Sequence, residues 1–91
     1  MKTNRKGLSV VLYDNKTIAQ LYSTIIFIRE GNNIKLNSGG WRTRHTKNCI
    51  NDLLPARLSL YQKNFEWYLY DKMNDHTIDF TDNMTFECIG F

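Results

Sequence analysis

The segment TRHTKNCINDLLP, residues 43–55, decides the fold, because its apolar residues follow helical spacing. Ile50, Leu53 and Leu54 lie at positions i, i+3 and i+4, which places them on one narrow face of a helix. A threonine at position 43 or 46 offers its hydroxyl to the free backbone N–H groups of the first turn. The proline at position 55 disfavours helical geometry in the residue before it. We therefore predict a helix from about residue 43 to residue 54.

Three β-favouring stretches precede this helix. Leu8–Tyr13 is the first, and residues 18–29 are the second, with four consecutive β-branched or aromatic residues, IIFI, at positions 25–28. Such residues favour a strand over a helix. The sequence EGNN at positions 30–33 supplies residues that tolerate a positive φ angle. It predicts a hairpin that leads into a third strand at residues 34–37.

A second hairpin is predicted after the helix. Residues 58–62 and 65–70 form two β-favouring runs that are separated by a polar turn. Phe65, Trp67 and Leu69 alternate with polar or tyrosine residues along the second run. We therefore expect these three side chains on the buried face of the hairpin.

The last part of the chain is predicted to form short strands at residues 77–80 and 84–88, with Ile78 and Phe80 pointing inward. Together the elements predict an α+β fold. It consists of a small antiparallel sheet of two β-hairpins that flank one helix and are covered by it, with short extra strands at both termini. A chain of 91 residues fits one domain, residues 1–91.

The composition argues against a membrane or secreted protein. Hydrophobic residues make up 42% of the chain, yet the longest apolar run is strand-sized, whereas a membrane span needs about 20 apolar residues. The N-terminus is charged and lacks the apolar segment of a secretory signal. The two cysteines, Cys49 and Cys88, have no metal-ligand spacing and are interpreted as small core residues. We expect an intracellular protein with no membrane partner.

The net charge of +3 is divided unevenly along the chain. Residues 1–63 contain eleven Lys and Arg and three acidic residues, which gives +8, while residues 64–91 contain one Lys and six acidic residues, which gives −5. This asymmetry predicts one basic and one acidic surface. The basic surface suits nucleic acid or an acidic protein. Equally, the two parts could attract each other across the fold.

The segment SGGWRTRHTK, residues 38–47, contains the candidate binding site. Two adjacent glycines allow a ligand to approach the backbone closely, and the helix start presents free N–H groups with a partial positive charge. With the nearby hydroxyls and cations, these are the ingredients of a phosphate or carboxylate site. The candidate residues are Ser38, Gly39, Gly40, Arg42, Thr43, Arg44, Thr46 and Lys47.

The same segment also has a purely structural interpretation. Gly39 and Gly40 would set the geometry of a turn, Trp41 would anchor the core, and the threonines would cap the helix. The three cations favour a functional interpretation, because folding alone rarely requires them at a helix start. The segment matches neither a Walker A motif nor a dinucleotide-binding glycine motif.

The second hairpin could extend this basic surface. Arg57 and Lys63 flank it, and Tyr61, Tyr68 and Tyr70 lie on or near its solvent side. Basic side chains interleaved with exposed rings bind single strands by neutralising phosphates and stacking on bases. Tyrosines are equally common as half-buried partners across neighbouring strands.

The sequence favours binding over catalysis. Neither His45 nor His76 has a cysteine or carboxylate at metal-ligand spacing. Asp71, Asp75 and Asp79 recur at every fourth position, but the glycine and glutamate of an EF-hand are missing. We therefore expect no cofactor and no metal.

Two stretches, IKLNSGGWRTRHTKNCIN at 34–51 and LYQKNFEWYL at 60–69, resemble a group of small, uncharacterised proteins of tailed bacteriophages. The shared pattern comprises Asn-Ser-Gly-Gly-Trp, a Thr-x-x-Thr-Lys helix start, Ile-Asn, and a later Tyr-Gln and Trp-Tyr hairpin. The resemblance covers residues 24–87 and leaves residues 1–23 as an N-terminal strand extension. It implies a phage accessory protein that acts by binding in the cytoplasm of the infected bacterial host.

Three functions are consistent with these features. The first is binding of nucleic acid through the basic loop, which the basic centre of the chain favours. The second is inhibition of a host defence protein in the manner of an anti-CRISPR protein, which the acidic C-terminal part and the phage resemblance favour. The third is a small phosphate- or nucleotide-binding enzyme. An uncovered strand edge or the aromatic hairpin could also pair with a second copy in a homodimer.

Overall fold

Residues 5–87 are described by the computed structural model, and eight strands and one helix form within this range. In chain order they are β1 (Leu8–Tyr13), β2 (Lys16–Leu21), β3 (Thr24–Glu30), β4 (Asn33–Leu36), α1 (Arg44–Leu53), β5 (Leu58–Lys63), β6 (Glu66–Asp71), β7 (His76–Asp79) and β8 (Met84–Glu87). The predicted α+β class, with antiparallel strands and one helix, is confirmed. The strands form two sheets, however, where the sequence pattern predicted one.

The first sheet has five strands in the order β1-β2-β3-β4-β8, all antiparallel. The apolar stretch at residues 18–29 is not continuous, because Tyr22 and Ser23 form a tight turn between β2 and β3. The predicted hairpin at residues 30–33 is confirmed, with Glu30 opposite Asn33. A bulge beside Ala19 and Gln20 inserts Ile26 as an extra residue in β3. This insertion lets two consecutive β3 residues, Ile26 and Phe27, both be buried.

The second sheet has three strands in the order β5-β6-β7. Its first hairpin turns at Asn64 and Phe65, which both have a positive φ angle, as a type I′ turn requires. The expectation that Phe65 is buried is therefore wrong: the turn takes Phe65 out of the strand alternation and leaves its side chain 92% exposed. Trp67 and Leu69 are buried as predicted.

The two C-terminal strands belong to different sheets. β7 pairs with β6, and β8 crosses to pair with β4. Phe80 is buried as predicted, whereas Ile78 is 37% exposed because β7 is an edge strand and its residues are exposed throughout. The predicted last strand extended to Cys88, which lies outside the described residues.

The helix has the predicted extent. Thr43 is the N-cap, and its hydroxyl accepts a hydrogen bond from the Thr46 backbone N–H at 3.2 Å. At the other end, the Leu54 N–H donates to the Ile50 carbonyl at 3.0 Å before Pro55 ends the helix. No helix among residues 5–87 is long and apolar enough to cross a membrane.

The helix packs against both sheets. Its buried face contacts β3 of the first sheet and β5 of the second, so both sheets share one core. The Asn51 side chain lies along β5, where its Nδ2 donates to the Leu60 carbonyl at 2.8 Å and its Oδ1 accepts from the Leu60 N–H at 2.7 Å. Asn51 thus occupies backbone groups on the outer side of β5, and β4 pairs with β3 and β8, so the two hairpins do not form the single sheet that the sequence pattern predicted.

Candidate binding cleft at the helix start

The two glycines form the turn between β4 and the helix. Gly39 and Gly40 have φ angles of +65° and +85°, and the Trp41 N–H donates to the Ser38 carbonyl across them at 3.0 Å. A Cβ atom at Gly39 would lie within 2.5 Å of the Thr24 methyl group. Both the backbone angle and the lack of space therefore require glycine at position 39.

The buried end of this turn binds a carboxylate of the chain itself. Ser38 is 1% exposed, and Asp82 Oδ1 accepts hydrogen bonds from the Ser38 N–H at 2.8 Å and from its hydroxyl at 2.6 Å. Burial alone would raise the pKa of Asp82, but these hydrogen bonds and the Arg42 charge outweigh it and hold the pKa below its usual range. Asp82 lies in the connection from β7 to β8, so its contact with Ser38 ties that crossover to the end of β4.

Arg42 contacts the same region, where the end of β4 meets the connection from β7 to β8. Its guanidinium lies 5.0 Å from the centre of the Phe80 ring and 5.7 Å from the centre of the Trp67 ring, and 3.8 Å separates it from Asp82 Oδ2. Both aromatic rings are buried, so the cation covers the edge of the core. A ligand that used Arg42 would compete with these contacts.

An apolar cleft of about 590 Å³ opens on the other side of the turn. It lies between the β2–β3 turn and the start of the helix, and we call it the helix-start cleft. Its lining residues come from three parts of the chain: Leu21, Tyr22, Ser23, Thr24, Ile26, Ser38, Trp41, Thr43, His45 and Thr46.

Two large aromatic rings line this cleft while remaining mostly in solvent. Trp41 is 67% exposed and Tyr22 is 62% exposed. The structural interpretation of Trp41 as a core anchor is therefore wrong. Tyr22 has a φ angle of +55°, which is uncommon for a bulky residue, and its ring lies over Gly7, where any Cβ atom would collide with it. The fold thus holds an exposed ring at the cleft on a strained backbone.

The polar side chains of the cleft are held by hydrogen bonds within the chain. The Thr43 and Thr46 hydroxyls lie 3.1 Å apart, and His45 Nε2 donates to the Lys6 carbonyl at 2.7 Å. Arg5 pairs with Asp52 at 2.7 Å, about two turns after His45 on the same side of the helix. These contacts fasten the start of the described chain against the helix and fix the orientation of His45.

The first turns of the helix are basic. Arg44 occupies the first helical position, Lys47 follows one turn later, and no acidic residue lies in the first turn. A helix N-terminus favours anions and disfavours cations, by about 0.3–1 kcal/mol for each charge. Arg44 and Lys47 therefore occupy positions that helix electrostatics alone would assign to acidic residues.

The remaining sequence-predicted residues lie on the second sheet and do not line the cleft. Tyr61 and Tyr68 face each other across β5 and β6 with ring centres 5.5 Å apart, and Lys63 lies opposite Glu66 at the end of the hairpin. The Tyr70 hydroxyl donates to Asp75 at 2.7 Å, which raises the pKa of Tyr70.

Arg57 is likewise engaged within the second sheet. Its guanidinium donates to both carboxylate oxygens of Asp71, at 2.8 and 3.3 Å. This pair, helped by hydrogen bonds from the loop after β6, holds the pKa of Asp71 far below its usual range. Arg57 thus forms an ion pair at the start of the second hairpin and lies apart from Arg44 and Lys47 on the helix.

Residues 5–87 contain no group of three or more His, Cys, Asp and Glu side chains placed to hold a metal ion. Cys49 is a free, buried thiol, and burial raises its pKa. A thiol of this kind is not activated as a nucleophile.

Two important residues were missed by the sequence interpretation. Tyr22 was placed inside a long apolar stretch, although the polar Ser-Thr pair that follows it was a readable sign of a turn. Asp82 had no local signal at all, because its partner Ser38 lies 44 residues away.

The chain matches the family model described as Kyanoviridae Gp96 protein over residues 2–87. No curated protein and no solved structure matches it.

Proposed function

Because the chain belongs to the Kyanoviridae Gp96 family, it is a bacteriophage protein, and from this premise we propose that it binds single-stranded nucleic acid without catalysis. The proposed site is the helix-start cleft together with Arg44 and Lys47. The observation that carries the proposal is the pair of exposed rings, Tyr22 and Trp41, on the wall of an apolar cleft beside a basic helix start.

The exposed rings suit nucleobases. A base presents a flat, apolar face of any sequence, and stacking on an aromatic side chain contributes about 1–3 kcal/mol for each base. Trp41 and Tyr22 would lose exposed apolar surface by such stacking, and Thr43 and Thr46 offer hydroxyls to base edges nearby. In a duplex the bases are stacked within the helix, so this cleft suits a single strand.

The cations suit the phosphate backbone. Arg44 and Lys47 lie on the helix with no ion-pair partner among residues 5–87, in contrast to Arg42 and Arg57. Their positions oppose the helix dipole, so they are better explained by an external anion than by folding. The carboxylate of Asp82 already occupies the polar groups of Ser38, so we place the phosphates along the helix start rather than at the glycine turn.

The test is a fluorescence anisotropy titration with labelled single-stranded DNA, single-stranded RNA and duplex DNA at about 50 and 200 mM salt. The variant Arg44→Ala/Lys47→Ala is compared with Lys16→Ala/Lys35→Ala, which removes the same charge from the outer face of the five-stranded sheet. Arg42 is left intact because it covers the core.

The proposal predicts that the wild type prefers single strands and that its affinity falls with salt. Loss of two phosphate contacts lowers the slope of log K against log salt by about 1.4 for a single strand. The control pair changes the slope far less. Equal effects of the two double variants would mean that only net charge matters, and absence of binding at low salt would exclude the function.

A second candidate function, binding of a host defence protein, is favoured by the tip of the β5–β6 hairpin. Phe65 is 92% exposed there on a positive φ angle, beside the Tyr61–Tyr68 ring pair. Exposed aromatic residues are typical anchors of protein interfaces. This candidate predicts no binding of nucleic acid, together with a stoichiometric host-protein complex that Phe65→Ala disrupts and Trp41→Ala leaves intact.

A further inference from the structure

Within residues 5–87 the two sheets present four edge strands, and three of these are protected against pairing with another chain. Asn51 occupies the backbone groups of Leu60 on β5. β7 and β8 are only four residues long, and each carries an exposed acidic residue, Asp79 and Glu87. Short length, charge and covering groups are the usual means by which proteins keep sheet edges from pairing.

The fourth edge, β1, is neither short nor charged. It is six residues long, with the sequence LSVVLY, and contains neither a charge nor a proline. The pairing of β1 with β2 is regular, without a bulge, and no strand among residues 5–87 pairs with its other side. Leu12 is 66% exposed, and Val11 and Tyr13 are about half exposed. β1 is therefore an uncharged and largely apolar edge that no strand among residues 5–87 covers.

The hydrogen bonds of the first hairpin show which backbone groups are free. The Tyr22 N–H donates to the Gly7 carbonyl at 2.8 Å, in register with the pairing of Leu8 and Leu21. Hydrogen-bonded and non-hydrogen-bonded pairs alternate in an antiparallel ladder. Leu8, Val10 and Leu12 therefore direct their N–H and C=O groups away from β2, and of these the Leu8 N–H already donates to the Arg5 carbonyl at 3.2 Å.

We infer that β1 pairs with β1 of a second copy, antiparallel and about a two-fold axis at Val10. In this register Val10 lies opposite Val10 of the second copy, and Leu8 lies opposite its Leu12. The Val10 pair can exchange two hydrogen bonds. In each Leu8–Leu12 pair the Leu12 N–H can donate to the Leu8 carbonyl, whereas the Leu8 N–H stays bonded to the Arg5 carbonyl of its own chain. The product is one continuous sheet, twice as wide as the five-stranded sheet of a single chain.

The sequence around β1 favours a second copy over an unrelated extended peptide. Lys6 precedes the strand and Asp14 follows it, so the antiparallel arrangement brings these opposite charges together at both ends of the interface. Neither side chain has an ion-pair partner within the described chain. A two-fold interface must be complementary to itself, and β1 meets this condition in both its apolar centre and its charged ends.

The test is sedimentation equilibrium of the full chain over a wide concentration range. Wild type is compared with Leu12→Lys, which charges the edge, and with Val10→Pro, which removes an outward N–H that β2 does not use. Phe65→Lys is the matched control, because it replaces an exposed apolar side chain by lysine away from the edge. Far-UV circular dichroism checks that each variant is folded.

We expect wild type and Phe65→Lys to sediment as dimers, at twice the 10.8 kDa chain mass. In both β1 variants the dissociation constant of the dimer should be at least tenfold higher than in wild type. If the wild type stays monomeric, the inference is wrong and the β1 edge has a different partner. A dimer that survives both β1 variants, a dimer that Phe65→Lys also abolishes, or open-ended assembly of the wild type each overturns it as well.

Discussion

Ser38 and Trp41 lie three residues apart in one loop and have opposite surroundings. Ser38 is buried, and both its backbone N–H and its hydroxyl are bound by Asp82. Trp41 is mostly exposed, and its ring lines an open cleft. The segment that contains both residues looked uniform in sequence. Its buried half, at Ser38, stabilises the fold, and its exposed half, at Trp41, is available for contact with a ligand.

The largest expected effect concerns the buried half. Asp82→Ala leaves the Ser38 N–H and hydroxyl without their acceptor in a buried place, which destabilises the fold by about 2–4 kcal/mol. Asp79→Ala is the matched control, since Asp79 is exposed on the neighbouring edge strand. Urea unfolding measures both variants. A loss with Asp82→Ala no larger than with Asp79→Ala would show that the junction does not hold the sheets together.

The next effect concerns the exposed half. Trp41→Ala removes a stacking surface and should weaken single-strand binding about tenfold, which corresponds to about 1.4 kcal/mol. Because the ring is exposed, the free energy of unfolding should change by less than about 0.5 kcal/mol. Phe65→Ala, at an exposed ring outside the cleft, should change neither quantity. If Trp41→Ala lowered the free energy of unfolding by as much as it weakened binding, Trp41 would belong to the half of the segment that stabilises the fold, which would contradict the comparison.

A smaller effect is the pH dependence of stability. The pKa values of Asp71 and Asp82 are lowered in the folded state, so these groups stabilise the fold above the pKa of an unfolded aspartate, about 3.9. That contribution is lost as the pH falls through the folded-state values. Stability should therefore decrease below about pH 4. Thermal unfolding between neutral and acidic pH should show a shallower decrease for Asp82→Asn than for wild type.

The smallest effect is expected on the second sheet. Lys63 lies at the end of β5 opposite Glu66, whereas Lys47 lies on the helix next to Thr46, which lines the helix-start cleft. Lys63→Ala should therefore change single-strand affinity less than Lys47→Ala does, at the same net charge. Anisotropy titrations of the two variants under one salt condition make the comparison. A larger loss with Lys63→Ala would move the binding surface to the second hairpin.

Local patterns explain why much of the fold could be predicted. The helix follows from the spacing of Ile50, Leu53 and Leu54 and from its proline stop, and the hairpin at residues 30–33 follows from its turn residues. Phe65 was misplaced because strand alternation was extended into a turn, where a positive φ angle overrides the alternation. The prediction for Phe65 was therefore wrong because of the local conformation of the turn and not because of the hydrophobic pattern of the strand.

Long-range contacts explain what could not be predicted. Nothing near Asn51 in the sequence indicates that its amide binds the backbone of β5, and no local pattern indicates that β8 crosses to the edge of β4. Likewise, no local pattern assigns Asp82 to Ser38. The candidate segment at residues 38–47 was found from its composition, but the division between its buried and exposed residues depends on these distant partners.

The most direct test of base stacking in the cleft uses the fluorescence of the two tryptophans. Trp67 is 1% exposed, so an oligonucleotide that stacks in the helix-start cleft can quench only Trp41. Single-stranded DNA should quench the wild-type emission. In Trp41→Phe the quenching should disappear while anisotropy still reports binding, because a phenyl ring retains the stacking surface. Quenching that persists in Trp41→Phe, or wild-type emission that is unchanged at saturation, would contradict stacking on Trp41.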